Sequence, residues 1–364
     1  MTEDLRPPFR QQFDNARDPY TARNALGILG TGAGPPGPAG PAGPAGATGA
    51  TGPAGATGAT GATGASGGFG SPQGRLTLQS ATPVMTTTQS AKTTIYWTPY
   101  VGNLVPLYDG SVMTMTTFAE LSVATTDTTK SPAAIGASKV NDWFVWSDSG
   151  TVRIGHGPDW TSDTARSAGT ALVMVNGILL NSVALTNGPA ASRGTYVGTT
   201  RSNASSQLDW IYGATAVNGS AGIFGVWNCY NRVSVASFVG QSADSWAYTI
   251  ATIRPVNGVT TMRVSYVSGL EQDAFGATYT VSAQTAGGTL ATSGIGYDST
   301  TVYSGTVAAA QSTAMTPIIG SYQTTSLGYH FFQALEYITG STATFFGDNG
   351  GTYMLAGLMF EGKL

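Results

Sequence analysis

The chain is 364 residues long and 41 % hydrophobic, long enough for two or three domains and apolar enough for a sizeable core. Only 10 % of its residues are charged and the net charge is −3, which excludes the broad basic field that nucleic-acid or anionic-membrane binding requires. Its one cysteine, Cys229, excludes an internal disulfide and a thiolate-rich zinc site, and in Trp227-Asn228-Cys229-Tyr230 it reads as a small buried apolar residue of a chain assembled in a reducing cytoplasm.

Residues 1–33 carry eight charged residues, four of each sign, dense for a chain so poor in charge. Met1-Thr2-Glu3-Asp4 lacks the basic start and apolar run of a secretory signal. No apolar run reaches the roughly 18 residues needed to span a bilayer, so no membrane insertion is expected and the sequons at Asn203 and Asn218 carry no weight. Asp18-Pro19, then Tyr20 to Leu26, then Gly27 predict a short helix with an N-cap, a first-turn proline and a glycine stop. A helix of two turns is marginal alone. The segment is therefore expected to fold against a partner protein, with Phe9, Phe13, Tyr20, Arg23 and Leu26 as contacts.

Glycine then recurs at every third position: Gly34, Gly37, Gly40, Gly43, Gly46, Gly49, Gly52, Gly55, Gly58, Gly61, Gly64 and Gly67. This is the collagen register, in which each third residue faces an axis so crowded that only glycine fits. A flexible linker places glycine without such a period. Residues 34–70 are accordingly expected to form a triple helix of three chains, a rod of about 100 Å at about 3.1 Å per residue. Prolines at 35, 36, 38, 41 and 44 stiffen its first half, whereas the second half holds only Pro53 and leans on threonine. A rod so composed needs a flanking trimeric domain to set its register.

Beyond residue 70 the pattern predicts an all-β head of sandwich or jelly-roll type, divided into regions 71–200 and 201–364. Asn176-Gly177 between Leu172–Val175 and Ile178–Leu180 predicts a type I′ hairpin, and Asn257-Gly258 between Trp246–Ile250 and Met262–Tyr266 predicts a second. Val233, Val235 and Val239 keep a period of two. A short helix is expected from Ser131-Pro132, Phe331–Ile338 reads equally as helix or strand, and a final strand is expected over Thr352–Phe360 after Asp348-Asn349-Gly350-Gly351.

A collagen rod between a small N-terminal segment and a β-rich head resembles bacteriophage fibre proteins. Ala22-Arg23-Asn24-Ala25-Leu26-Gly27 is similar to an element common near the attachment end of such fibres. Arg75-Leu76-Thr77-Leu78, Tyr96 through Asn103, Val105 through Gly110 and Trp227 through Arg232 resemble a recurrent head region of phage proteins, with Thr126 through Pro132 a looser match. The resemblance spans most of residues 75–270. It implies a homotrimer attached to the virion by its N-terminus, and names no activity.

Little in the head reads as catalytic. Glycosidases need two carboxyls about 5–10 Å apart, and the acidic residues here are scattered, with Glu271 and Asp273 reading as a solvated turn. His156 and His330 are far apart in sequence and read as structural, and neither a P-loop nor a zincin motif is present. No catalytic residue, metal or cofactor is expected. Aromatic loops offer more, because flat rings stack on sugars while neighbouring carboxylates accept hydroxyl hydrogen bonds. Asp159, Trp160 and Asp163 in one loop and Tyr297 with Asp298 in another are the candidates for ligand contact.

The sequence thus predicts a virion fibre subunit, of the tail, whose head adsorbs to host surface carbohydrate. A capsid fibre, a bacterial collagen-like surface filament and a polysaccharide depolymerase are the alternatives.

Overall fold

The computed structural model describes residues 70–348 and 350–364. The segment 1–33, with Phe9, Phe13, Tyr20, Arg23 and Leu26, and the glycine repeat from Gly34 to Gly67 lie outside the described residues, as does Asn349. Within them the protein is all-β: strands are separated by turns, with two single 3₁₀ turns and no α-helix among the described residues.

The first part builds three sheets. Gly74–Thr77, Thr94–Pro99 and Leu121–Ala124 form an antiparallel three-stranded sheet, and Leu104–Tyr108 pairs with Met113–Thr117 as a hairpin. A six-stranded sheet runs Thr151–His156, Val140–Asp148, Thr195–Arg201, Ile178–Asn181, Leu172–Val175, with Val226–Asn228 also on the edge of Thr195–Arg201. Val140 through Trp146 are all buried, because both faces of this strand are covered and the polar alternation of a half-exposed strand is lost. Residue 200 lies inside Thr195–Arg201, which is hydrogen-bonded to strands on both sides.

The rest of the chain forms two sheets packed face to face. One contains Ser234–Gly240, Gly357–Lys363, Ala274–Thr285 and Thr316–Thr325; the other contains Ala291–Tyr297, Gly328–Ile338, Arg263–Ser268, Gly222–Phe224 and Leu208–Ile211. Ser304–Ala310 pairs into both and joins them. Alternation decides the faces: Phe275, Ala277, Tyr279, Val281 and Ala283 point inward along one strand. They meet an aromatic row from the opposing sheet, where Tyr266 stacks on Phe275 at 4.2 Å between centroids and Phe224 stacks on Phe360 at 5.4 Å. These rings are fully buried, so each contributes on the order of 2–3 kcal/mol of burial free energy.

Buried polar centres tie the parts together. Asp142, wholly buried, accepts from Arg166 (2.8 Å) and Thr199 (2.6 Å), and Arg166 also donates to the carbonyl of Gly269 (2.7 Å), bridging the six-stranded sheet to the C-terminal layers. Burial pushes the Asp142 carboxyl up from its ordinary range, against the pull of Arg166. Glu336, also wholly buried, accepts from Arg254 (2.7 Å) and Trp246 (2.7 Å) across the two C-terminal sheets. Among the described residues no Asp or Glu carboxylate pairs with buried Arg75, which donates to the carbonyls of Pro83, Asn231 and Leu364, and burial lowers its pKa to about 10. Cys229 is buried and its thiol is pushed up to about 12 by desolvation, as its apolar role requires.

Several sequence expectations need correction. The Asn176-Gly177 hairpin forms with both residues at positive φ (50° and 84°). Asn257 and Gly258 adopt the same signs (52° and 70°), yet the strands around them do not pair with each other. Ser245–Tyr248 pairs with Ala343–Phe346, while Arg254–Pro255 and Arg263–Ser268 pair in succession along one edge of Gly328–Ile338. The Asn-Gly turn therefore loops a bulge out of one strand run instead of reversing the chain. No helix starts at Ser131-Pro132, where the Ser131 hydroxyl instead accepts the His156 amide at 3.1 Å. Phe331–Ile338 is strand, and the final strand is Gly357–Lys363, later than expected.

Candidate ligand-binding groove

Three turns from separate parts of the chain enclose a concavity with charged and hydroxyl-bearing walls. In the hairpin Leu104–Tyr108/Met113–Thr117, Asp109 opens the turn by accepting the amides of Ser111 and Val112, both at 2.8 Å. The Val112 and Ser111 amides hold this carboxyl below its usual range. Gly110 has φ +98°, and a side chain there would collide with the Arg193 guanidinium, so glycine lets Arg193 lie over the turn. The second turn, Ser149-Gly150, has positive φ at both positions and closes Val140–Asp148 on Thr151–His156. Arg153 donates to Asp148 at 2.6 Å across it. The third turn is the loop Gly188–Arg193.

Between them lies a cavity of about 530 Å³ lined by Tyr108, Asp109, Thr116, Trp146, Asp148 and Arg193 among others. It continues, past Trp146, Asp148 and Gly188, into a second of about 270 Å³ lined by Thr129, Lys130, Arg153 and Asn187. Lys130 stands 3.2 Å from Asp127. Burial raises the Asp127 carboxyl, but hydrogen bonds from Thr129 outweigh it and leave the pKa lowered. Carboxylates, cations and hydroxyls thus line the groove together, a lining that matches the mixed donors and acceptors of a polyhydroxyl ligand. Among the described residues no cluster of His, Cys, Asp or Glu is arranged to hold a metal.

The residues expected to touch ligand lie elsewhere. Trp160 is only 2 % exposed, with the Arg166 guanidinium 4.5 Å above its ring, and offers no face to a sugar. Asp159 accepts from Asn141 at 2.9 Å. Asp163 and Asp298, far apart in sequence, are brought to the start of Gly328–Ile338: the Asp163 carbonyl accepts the Tyr329 amide (2.8 Å), and Asp298 accepts the Phe331 amide (2.9 Å) and bonds His330 (2.6 Å). Tyr297 stacks on His330 with centroids 5.1 Å apart. Burial lowers the His330 pKa, but the Asp298 carboxylate outweighs it and raises the value overall. Arg201 caps this cluster, 3.3 Å from Asp163 and over the Tyr329 ring. These side chains are engaged with one another, and Trp160 is not among them.

His156 is buried, with Nδ1 2.7 Å from the Gly157 carbonyl and its ring against Trp143. Desolvation lowers its pKa. Sequence reasoning missed Tyr108, Asp109, Asp148 and Arg193 as a group. Asp109-Gly110 and Ser149-Gly150 are legible as turns, but nothing local tells that they face each other.

The described residues form an all-β fold carrying a polar groove. No protein-family model matches the chain, and no curated protein matches it in sequence.

Proposed function

We propose that the chain is one subunit of a homotrimeric bacteriophage tail fibre, bound to the virion through residues 1–33 and extended by a collagen-like rod. The head, on this reading, adsorbs to host surface carbohydrate through the groove around Trp146. The observation that carries the reading is the unbroken glycine period from Gly34 to Gly67 immediately ahead of an all-β head. Three heads on one rod raise avidity by roughly 10²–10⁴ where receptors are suitably spaced, so each groove needs only modest affinity.

Binding without cleavage is favoured by the state of the carboxyls. A glycosidase general acid has a raised pKa and faces its substrate. Among the described acidic residues the raised ones are Asp142 and Glu336, both wholly buried and absent from the groove lining, whereas Asp109 in the groove is lowered. The test is adsorption of the purified full chain to host cells before and after surface polysaccharide is stripped. Binding that falls on stripping supports the reading. Undiminished binding overturns the carbohydrate receptor, and release of reducing ends would make the protein a depolymerase.

A further inference from the structure

The outer face of the sheet Ser234–Gly240, Gly357–Lys363, Ala274–Thr285, Thr316–Thr325 is exposed and almost free of charge. Its register sets Phe238, Met359, Thr278 and Ser321 side by side across the four strands. Phe238 lies flat across Gly357, where any Cβ would strike its ring, and Phe238 and Met359 remain 37 % and 43 % exposed. Towards one end the face sinks into a depression of about 980 Å³, floored by Ala236, Gly276 and Thr278, whose only charged lining residues are Glu361 and Lys363. Towards the other end Met315, Pro317 and Ile319 point outward in a row from the single run Met315–Ile319. One face thus carries both an apolar ridge and a hollow.

We infer that this face is the contact between copies of the head, the Met315–Pro317–Ile319 ridge of one copy entering the hollow over Gly276 of the next. The inference rests on the three-chain reading of the glycine repeat. A ridge and a hollow at different places on one surface make a heterologous contact, which closes into a ring when the rotation is fixed, and three chains fix it at threefold. The repeat ends at Gly67, three residues before the described head begins. The chain enters beside this sheet: Asn231, just ahead of Ser234–Gly240, donates to the carbonyls of Pro72 (2.7 Å) and Gly74 (3.2 Å), and Arg75 holds Leu364, just past Gly357–Lys363. Glu361 and Lys363 give the hollow one charge of each sign. Four strands about 4.8 Å apart and up to twelve residues long span roughly 15–20 by 40 Å, the same order as the ~800 Å² that each partner buries in a stable interface.

Two substitutions probe the two halves. Ile319→Lys charges the ridge. Gly276→Lys fills the hollow at a position where a Cβ meets nothing closer than 3.7 Å and φ is not positive, so the head should still fold. Met174→Lys, 60 % exposed on the other sheet system, is the control. Sedimentation of the full chain is measured below and above the temperature at which the triple-helix circular dichroism signal is lost. We expect the wild type and Met174→Lys to remain trimeric after the rod melts, and both face variants to dissociate at concentrations at least tenfold higher than the wild type. Face variants that stay trimeric after the rod melts would overturn the inference. A wild type that becomes monomeric when the rod melts would overturn it too while leaving the three-chain reading intact, and a wild type that is never trimeric would sink both.

Discussion

Glu336 should make the head less stable as pH rises. Its carboxyl is buried between two sheets, and burial raises its pKa from 4.5 to about 7 despite the Arg254 and Trp246 contacts. Below pH 4.5 the group is protonated in both folded and unfolded chains and costs nothing. As pH rises through 4.5 the unfolded carboxyl ionises first, so the unfolded state gains, and the loss is complete above about 7. The displacement corresponds to about 3 kcal/mol. Glu336→Gln removes the titration. Its amide oxygen can still accept from Arg254 and Asn257, while its NH₂ meets the Trp246 N–H, so the variant should lose about 1–3 kcal/mol at pH 4.5. All seven tryptophans lie between residues 97 and 246, so their fluorescence follows the head alone. Urea unfolding read by that signal from pH 4.5 to 8 should show the wild type converging on the variant. Parallel pH profiles would refute the assignment of the slope to Glu336.

Asp142→Ala should cost about 3–5 kcal/mol, because it leaves the Arg166 guanidinium half-buried without its carboxylate; a urea midpoint within error of wild type would contradict it. Arg193→Ala with Asp148→Ala should weaken adsorption to host cells severalfold while leaving the melting temperature within a few degrees, since both side chains are exposed. On the three-chain reading of the repeat, Gly52→Asp should abolish a triple-helix dichroism signal and leave tryptophan unfolding unchanged, as it would put a charge where that reading places a crowded axis.

Local chemistry was legible in the sequence and long-range pairing was not. Asn176-Gly177 and Asn257-Gly258 carry the same turn signal and adopt the same backbone signs, because φ is set by the residues themselves. Only the first has its pairing partner next in sequence; the second is overruled by Gly328–Ile338, some seventy residues further on, whose edge both flanking segments share. The burial of Cys229 and the inward alternation of Val235 and Val239 were equally readable from composition and spacing, while Val233, read in the same period, lies half-buried just ahead of the strand. Trp160 misled because its neighbours Asp159, Thr161, Ser162 and Asp163 are polar, while the force that buries the ring comes from Arg166 and the core beneath. The groove escaped notice for the converse reason: its walls at 108–116, 146–150 and 188–193 are ordinary turns, and only the sheet that spaces them makes them one site.

The bond from Arg75 to the carbonyl of Leu364 joins positions 289 residues apart. The first strand of the head therefore has a partner that is made 289 residues later. At the usual pace of about 5–20 residues per second, roughly 15–60 s separate the appearance of the two. Through that interval the glycine repeat is already made while the head behind it is unfinished. On the trimeric reading the repeat is thus a late assembler, zipping from Gly67 back towards Gly34 once both Arg75 and Leu364 are in place.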